Sequence, residues 1–142
     1  MRKIAILTAA FVALATPAAA ASAKIQQSGF IVGDKAASVK LRVQIKDGDA
    51  TKVGGFRAKN VLATCGKNKE IRIQLTALEP VPVDGDGDFK VRLGDGEGGI
   101  LRISGSVAAD GKSTVGSVKT NDFAQGGGTC RVAKQKFKTS ER

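Results

Sequence analysis

The segment that decides the fold is residues 39–46, Val39-Lys40-Leu41-Arg42-Val43-Gln44-Ile45-Lys46, in which every odd position is apolar and every even position is polar. Side chains of a β-strand point alternately to opposite faces, so this pattern predicts a strand with one buried and one solvent-facing side. The same alternation returns in residues 70–76, 89–93 and 101–104. Stretches rich in Gly, Asp and Asn separate these segments and predict turns between strands.

Four weaker segments, residues 25–32, 53–64, 113–119 and 129–137, bring the expected set to about eight short strands. The sequence therefore predicts an all-β domain, with an antiparallel β-sandwich as the first choice and a small closed β-barrel as the alternative, because a period of two is common to both. Phe56 and Cys65 have opposite parity, so both can face the core only if a bulge or bend lies near Asn60.

The first 23 residues have the pattern of a secretory signal peptide. Residues 1–3 are a short basic start, residues 4–15 are an uncharged apolar run, and residues 21–23 have the small-x-small form of a cleavage site. We expect cleavage after Ala20, Ala21 or Ala23, and a single all-β domain over residues 24–142. The apolar run is shorter than the roughly 20 residues that cross a membrane, so we expect no membrane span after cleavage and a secreted protein, extracellular or at the cell envelope.

The chain contains two cysteines, Cys65 and Cys130. In an exported protein such a pair predicts one disulfide. The bond would close a loop of about 66 residues, which the chain-entropy model values at roughly 4 kcal/mol. A reactive redox pair would favour the Cys-x-x-Cys spacing, so a structural bond is the favoured interpretation.

Composition restricts the chemistry. The formal net charge is +10, and removal of Arg2 and Lys3 with the signal peptide would leave +8. Histidine is absent, which excludes histidine-dependent catalytic triads and histidine metal centres. Tryptophan and tyrosine are also absent, which removes the usual stacking platforms for sugars and disfavours nucleic acid as a partner. We expect a non-enzymatic protein without a cofactor and with no catalytic residues.

Basic residues at predicted outward strand positions form the first candidate site. The set is Lys40, Arg42, Lys46, Arg72, Lys90, Arg92 and Arg102. Clustered cations attract polyanions, so we expect this face to contact anionic polymers of the cell envelope. The alternative is a solvated strand face, on which Lys and Arg discourage aggregation between sheet edges.

Acidic residues between predicted strands form the second candidate site. Carboxylates at alternate positions can converge on a calcium ion, and the candidate ligands are Asp84, Asp86, Asp88 and Asp95. Phe89 stands where a calcium loop needs glycine, so a polar hairpin connection is the favoured interpretation. Two alternative functions use the acidic loops 84–88 and 95–97: an inhibitor-like protein that binds a basic secreted partner, and a carboxylate-based hydrolase, which is disfavoured because glycine-rich turns lack an apolar pocket.

The order of several short motifs resembles a functionally uncharacterised group of small secreted β-domain proteins common in actinobacteria. The motifs are Gly55-Phe56-Arg57-Ala58-Lys59-Asn60-Val61, Ala63-Thr64-Cys65, Pro80-Val81-Pro82-Val83 with Asp88-Phe89, Ile103-Ser104-Gly105, and Gly127-Gly128-Thr129-Cys130 with Phe137. The likeness runs from about residue 53 to residue 137. It implies an exported, disulfide-bonded β-fold, and it assigns no functional residue.

Overall fold

A computed structural model describes residues 22–142, so the signal peptide predicted for residues 1–23 lies outside the described part except for Ser22 and Ala23, which begin the first strand. The described residues form eleven β-strands and no helix. The strands are β1 (Ser22–Ile31), β2 (Asp34–Lys46), β3 (Asp49–Cys65), β4 (Lys69–Ala77), β5 (Val81–Pro82), β6 (Asp88–Gly94), β7 (Ile100–Val107), β8 (Ser113–Thr120), β9 (Phe123–Gln125), β10 (Gly128–Arg131) and β11 (Gln135–Glu141).

All strand pairs are antiparallel, and the main order is β6-β7-β8-β11-β1-β2-β3-β10-β9. Two further strands, β4 and β5, also pair with β3. The sheet is not closed into a barrel and agrees with a sandwich-like fold. The predicted fold class is therefore confirmed.

The expectation of about eight strands is wrong in number. The segment predicted as one strand over 129–137 is divided between β10 and β11, because β10 pairs with β3 whereas β11 pairs with β8 and β1. The strands β5 and β9 contain two and three residues, too few to show an alternating pattern.

A bulge near Asn60 bends β3, as the opposite parity of Phe56 and Cys65 predicted. Asn60 has a φ of 57°, and the register with β4 shifts between Ala58 and Val61. Ala58 and Val61 are both buried although they lie an odd number of positions apart. A second irregularity lies at Gly55, with a φ of 60°, close to the point where the register with β2 shifts. These two irregularities let a single long strand keep its apolar side chains on the core face.

Two phenylalanines and two glycines form a row across the core face of four neighbouring strands. Phe89, Gly105, Gly116 and Phe137 are directly paired in that order from β6 to β11. Each ring covers the adjacent glycine: a Cβ at Gly105 would lie 2.8 Å from Phe89 Cζ, and one at Gly116 would lie 2.6 Å from Phe137 Cζ. Phe56 reaches Phe137 from β3, with ring centroids 5.7 Å apart. The glycines therefore provide the room in which the core aromatic side chains pack.

The predicted disulfide is confirmed. Cys65 and Cys130 are directly paired residues of β3 and β10, and their sulfurs are bonded. Only one other residue pair, Thr64 with Arg131, joins these two strands, so the bond fastens the β9–β10 hairpin to the sheet. A disulfide is compatible with an extracellular location. Over residues 22–142 no helix has the length and apolar character needed to cross a membrane.

A small polar network is buried beside β1. The Gln27 amide nitrogen donates to the Gly111 carbonyl at 2.7 Å, and the Thr139 hydroxyl donates to the Gln27 amide oxygen at 2.7 Å. The neighbouring Thr114 hydroxyl has no hydrogen-bond partner among the described residues. The network joins β1, β11 and the turn between β7 and β8.

Candidate functional site

The seven predicted basic residues are all exposed, but they do not form one surface. Lys90 and Arg92 lie on β6, beside Arg102 on β7. The other strand-face cations, Lys40, Arg42 and Lys46, lie on β2. Because β8, β11 and β1 separate β7 from β2, these two groups are four strand spacings apart, about 19 Å along the sheet.

Arg72 is held in a separate place. Its guanidinium forms an ion pair with Asp34 and donates to the Asn60 carbonyl at 2.9 Å. This contact connects β4 to the bulge of β3 and to the start of β2. Arg72 is thus partnered within the domain, unlike the cations of β6 and β7.

Cations on β6, β7 and β8 form a row across three neighbouring strands. Arg92 is directly paired with Arg102, and Arg102 is directly paired with Lys119. Like charges placed directly opposite each other on one sheet face destabilise the pairing. A second row runs from Lys90 through two serines to Lys136, and all of these residues are on the same face by parity.

We name this surface the basic sheet face and define it by Lys90, Arg92, Arg102, Lys119 and Lys136. All five are exposed, and within residues 22–142 none of them forms an ion pair with an acidic side chain. The serines of the second row, Ser104 and Ser117, place their hydroxyls 3.3 Å apart. The surface therefore carries unpaired positive charge with small hydroxyl groups between the cations.

Sequence reasoning missed Lys119 and Lys136, because both lie in segments with weak alternation. Val118 and Phe137 are buried, which fixes the parity of their strands and turns Lys119 and Lys136 outward. The signal was present in each strand. What the sequence could not supply was the strand pairing: β8 with β7 places Lys119 opposite Arg102, and β8 with β11 places Lys136 opposite Ser117.

One acidic residue lies at the margin of the basic sheet face. The carboxylate of Asp88, the first residue of β6, accepts a hydrogen bond from the Ser106 hydroxyl. Asp88 is paired with Ser106, one row beyond Lys90 and Ser104. It therefore borders the cations without entering either of their rows.

The four calcium candidates are not brought together. The Asp84 carboxylate accepts the backbone N–H groups of Asp86 and Asp88, both at 2.9 Å, and so stabilises its own turn. Asp95 likewise accepts from Glu97 at 2.7 Å and from Gly99 at 2.9 Å. The seven residues of β6 place the two turns about 20 Å apart. In the described part of the chain no group of three or more acidic, histidine or cysteine side chains is arranged to hold a metal ion.

Residues 22–142 thus form a disulfide-bonded all-β domain. Three directly opposed cations lie on β6–β8, and a separate opposed pair, Lys40 with Arg57, lies on β2 and β3. No family model, no curated protein and no solved structure matches this chain. The resemblance to the actinobacterial group stays a prediction.

Proposed function

We propose that this protein is a secreted, non-enzymatic binding module that contacts anionic polymers of the cell envelope through the basic sheet face. The observation that carries the proposal is the row Arg92, Arg102 and Lys119, three directly opposed cations without an acidic partner in the described residues. Each opposed pair lowers the stability of the sheet while the surface is free. An anion bound between the side chains of these cations reduces that repulsion.

The shape of the surface favours an extended ligand. The row of three cations spans two strand spacings, about 10 Å, on an open sheet face. A polymer with repeated phosphate or other anionic groups can contact several of these cations at once, and each contact releases counterions. Arginine offers paired donors that match the geometry of a phosphate or carboxylate group. Ser104 and Ser117 add hydroxyl groups between Lys90 and Lys136 in the second row.

The two alternatives that use the acidic loops receive less support. Asp84 and Asp95 each use one carboxylate oxygen to accept two backbone hydrogen bonds of their own turn. The two loops lie at opposite ends of β6, about 20 Å apart, so one small substrate does not meet both. These contacts favour the basic sheet face as the binding surface.

The test compares two charge-reversal variants on immobilised polyphosphate. The first variant is Arg92→Glu/Arg102→Glu/Lys119→Glu on the basic sheet face. The second is Lys40→Glu/Arg42→Glu/Lys46→Glu on β2, which changes the net charge by the same amount. We expect the first variant to lose at least about tenfold in affinity and most of its salt dependence, and the second to retain most of both.

Equal losses in the two variants would mean that net charge alone controls retention, and the proposal would then be wrong. Binding of the unmodified protein that does not fall as salt rises would contradict it as well. Far-ultraviolet circular dichroism of each variant establishes that the all-β fold is retained. Arg102 is exposed on its strand, so its reversal removes no core contact.

A further inference from the structure

The curled sheet leaves a gap between two of its strands. β4 pairs with β3 alone and β6 pairs with β7 alone, so each has one unpaired edge in the described structure. The short strand β5 pairs with β3 and contacts β6, which covers the gap at one end. At the other end a cleft of about 580 Å³ remains, bordered by β4, by the turn between β6 and β7, and by β9.

Burial along β6 shows that the cleft is an opening of the hydrophobic core. Phe89, Val91 and Leu93 point to the same face because they alternate along one strand. Phe89 is 3% exposed, Val91 is half-buried and Leu93 is 48% exposed. The exposure of the core-facing side chains of β6 therefore increases toward the cleft, where Leu93 contacts solvent.

The rest of the cleft wall combines apolar and polar side chains, and the apolar ones come from three strands. β4 contributes the half-buried side chains of Ile73 and Leu75, β7 contributes Ile100 and Leu101, and β9 contributes Phe123. Apolar surface of this kind gains about 25 cal/mol per Å² when it is removed from water. An apolar ligand in the cleft would gain that free energy without rearranging the sheet.

The polar groups of the cleft do not call for a charged ligand. Asp95 uses its carboxylate to hold its own turn, and Arg72 is paired with Asp34. The Thr120 hydroxyl accepts the Val132 N–H at 2.9 Å. The other polar side chains of the wall, Gln74, Thr76 and Gln125, are neutral. One oxygen of Asp95 and the Arg72 guanidinium are thus already occupied, and we expect the part of a ligand that enters the cleft to be uncharged.

The dimensions of the cleft suit a small molecule. The volume of about 580 Å³ lies within the range of about 300–1,000 Å³ found for small-molecule sites. We propose that this cleft binds an uncharged apolar small molecule, independently of the contacts of the basic sheet face.

The probe for this site is N-phenyl-1-naphthylamine, an uncharged dye whose emission rises in apolar surroundings. The chain has no tryptophan or tyrosine, so the protein contributes little emission of its own. We expect saturable binding of one dye per chain with a dissociation constant in the micromolar range. The variant that tests the cleft is Leu93→Asn, which places an amide on the cleft wall at a half-exposed position of an edge strand.

Val115→Asn is the matched control, because Val115 is 51% exposed on β8 and does not border the cleft. Leu93→Asn should weaken dye binding at least about tenfold, and Val115→Asn should leave it unchanged. Both variants should be retained on polyphosphate like the unmodified protein, which separates failure of this proposal from failure of the polyanion proposal. Thermal unfolding followed by circular dichroism checks that each variant is folded.

Three results would overturn the proposal. The first is the absence of saturable dye binding by the unmodified protein. The second is an equal loss of binding in the Leu93 and Val115 variants, which would place the dye elsewhere. The third is a dimer in sedimentation experiments that is lost in Leu93→Asn and competes with the dye, which would mean that a second copy of the chain fills the cleft.

Discussion

Replacing Gly105 by alanine should destabilise the domain, because Phe89 occupies the space that the new methyl group needs. A Cβ atom at Gly105 would lie 2.8 Å from Phe89 Cζ, 2.9 Å from Phe89 Cε1 and 2.8 Å from the Val115 carbonyl oxygen. Favourable contacts between carbon atoms lie at about 3.5–4.0 Å, so all three neighbours must move. Overpacking of this kind costs about 1–3 kcal/mol.

A second substitution identifies the cause. Phe89→Leu removes both ring atoms of the close contacts while it keeps part of the buried side chain, and we expect it to cost about 1–2 kcal/mol, below the about 3–5 kcal/mol of a Phe→Ala change. In the double variant the alanine methyl enters space that the ring has left. Only the contact with Val115 remains, so the double variant should be more stable than the sum of the single changes predicts, by about 1–2 kcal/mol.

The assay is urea unfolding followed by far-ultraviolet circular dichroism, since the chain has no tryptophan or tyrosine to report by fluorescence. Gly94→Ala is the control on β6, because the nearest atom to its added Cβ lies 3.8 Å away, and it should change the free energy of unfolding by no more than about 0.5 kcal/mol. Additivity of the Gly105 and Phe89 changes to within about 0.5 kcal/mol would refute the reasoning. So would a Gly105→Ala variant as stable as Gly94→Ala.

Three further changes test the other supports of the fold, each by the same urea unfolding measurement. Cys65→Ala/Cys130→Ala should lower the free energy of unfolding by roughly 4 kcal/mol because the loop between the cysteines is long, and a loss below about 1 kcal/mol would contradict this. Asn60→Val should cost about 1–2 kcal/mol because of the positive φ at the bulge, whereas Asn60→Gly should be nearly neutral, and equal effects would remove the strain argument. Thr139→Val should cost about 1–3 kcal/mol because it removes the hydroxyl that donates to the Gln27 amide oxygen. Thr114→Val should be neutral or stabilising, because the Thr114 hydroxyl has no hydrogen-bond partner in the described residues. The opposite order of the two effects would contradict the described network.

Local features of the fold were predictable from the sequence because they follow from neighbouring residues. The alternation over 39–46 fixes the buried and exposed sides of β2, and Val39, Leu41 and Val43 are buried as expected. The parity of Phe56 and Cys65 predicted the bulge at Asn60 because the period of a strand is strict. The cysteine pair predicted the disulfide since the chain holds only two cysteines.

Features that depend on the pairing of distant strands were not predictable in this way. The row of Arg92, Arg102 and Lys119 exists because β6, β7 and β8 are neighbours in a particular register, and a shift by one residue would turn the outward side chains to the other face. The predicted basic face grouped Arg102 with Lys40 because all outward cations look alike in a sequence. The cleft was missed for the same reason: Leu93 continues the apolar pattern of a buried strand, and only the unpaired edge of β6 exposes it.

The position of β11 also sets when the domain can assemble. Among the described strands it alone pairs with both β1 and β8. The other backbone connection described between β3 and β8 runs through residues 129–132, where β10 pairs with β3 and the Thr120 N–H donates to the Val132 carbonyl. Residues 135–141 follow all the other strands in the order of synthesis. In a nascent chain the edges of β1 and β8 that face each other therefore lack their shared partner, and stay open to wrong ones, until this segment has left the ribosome.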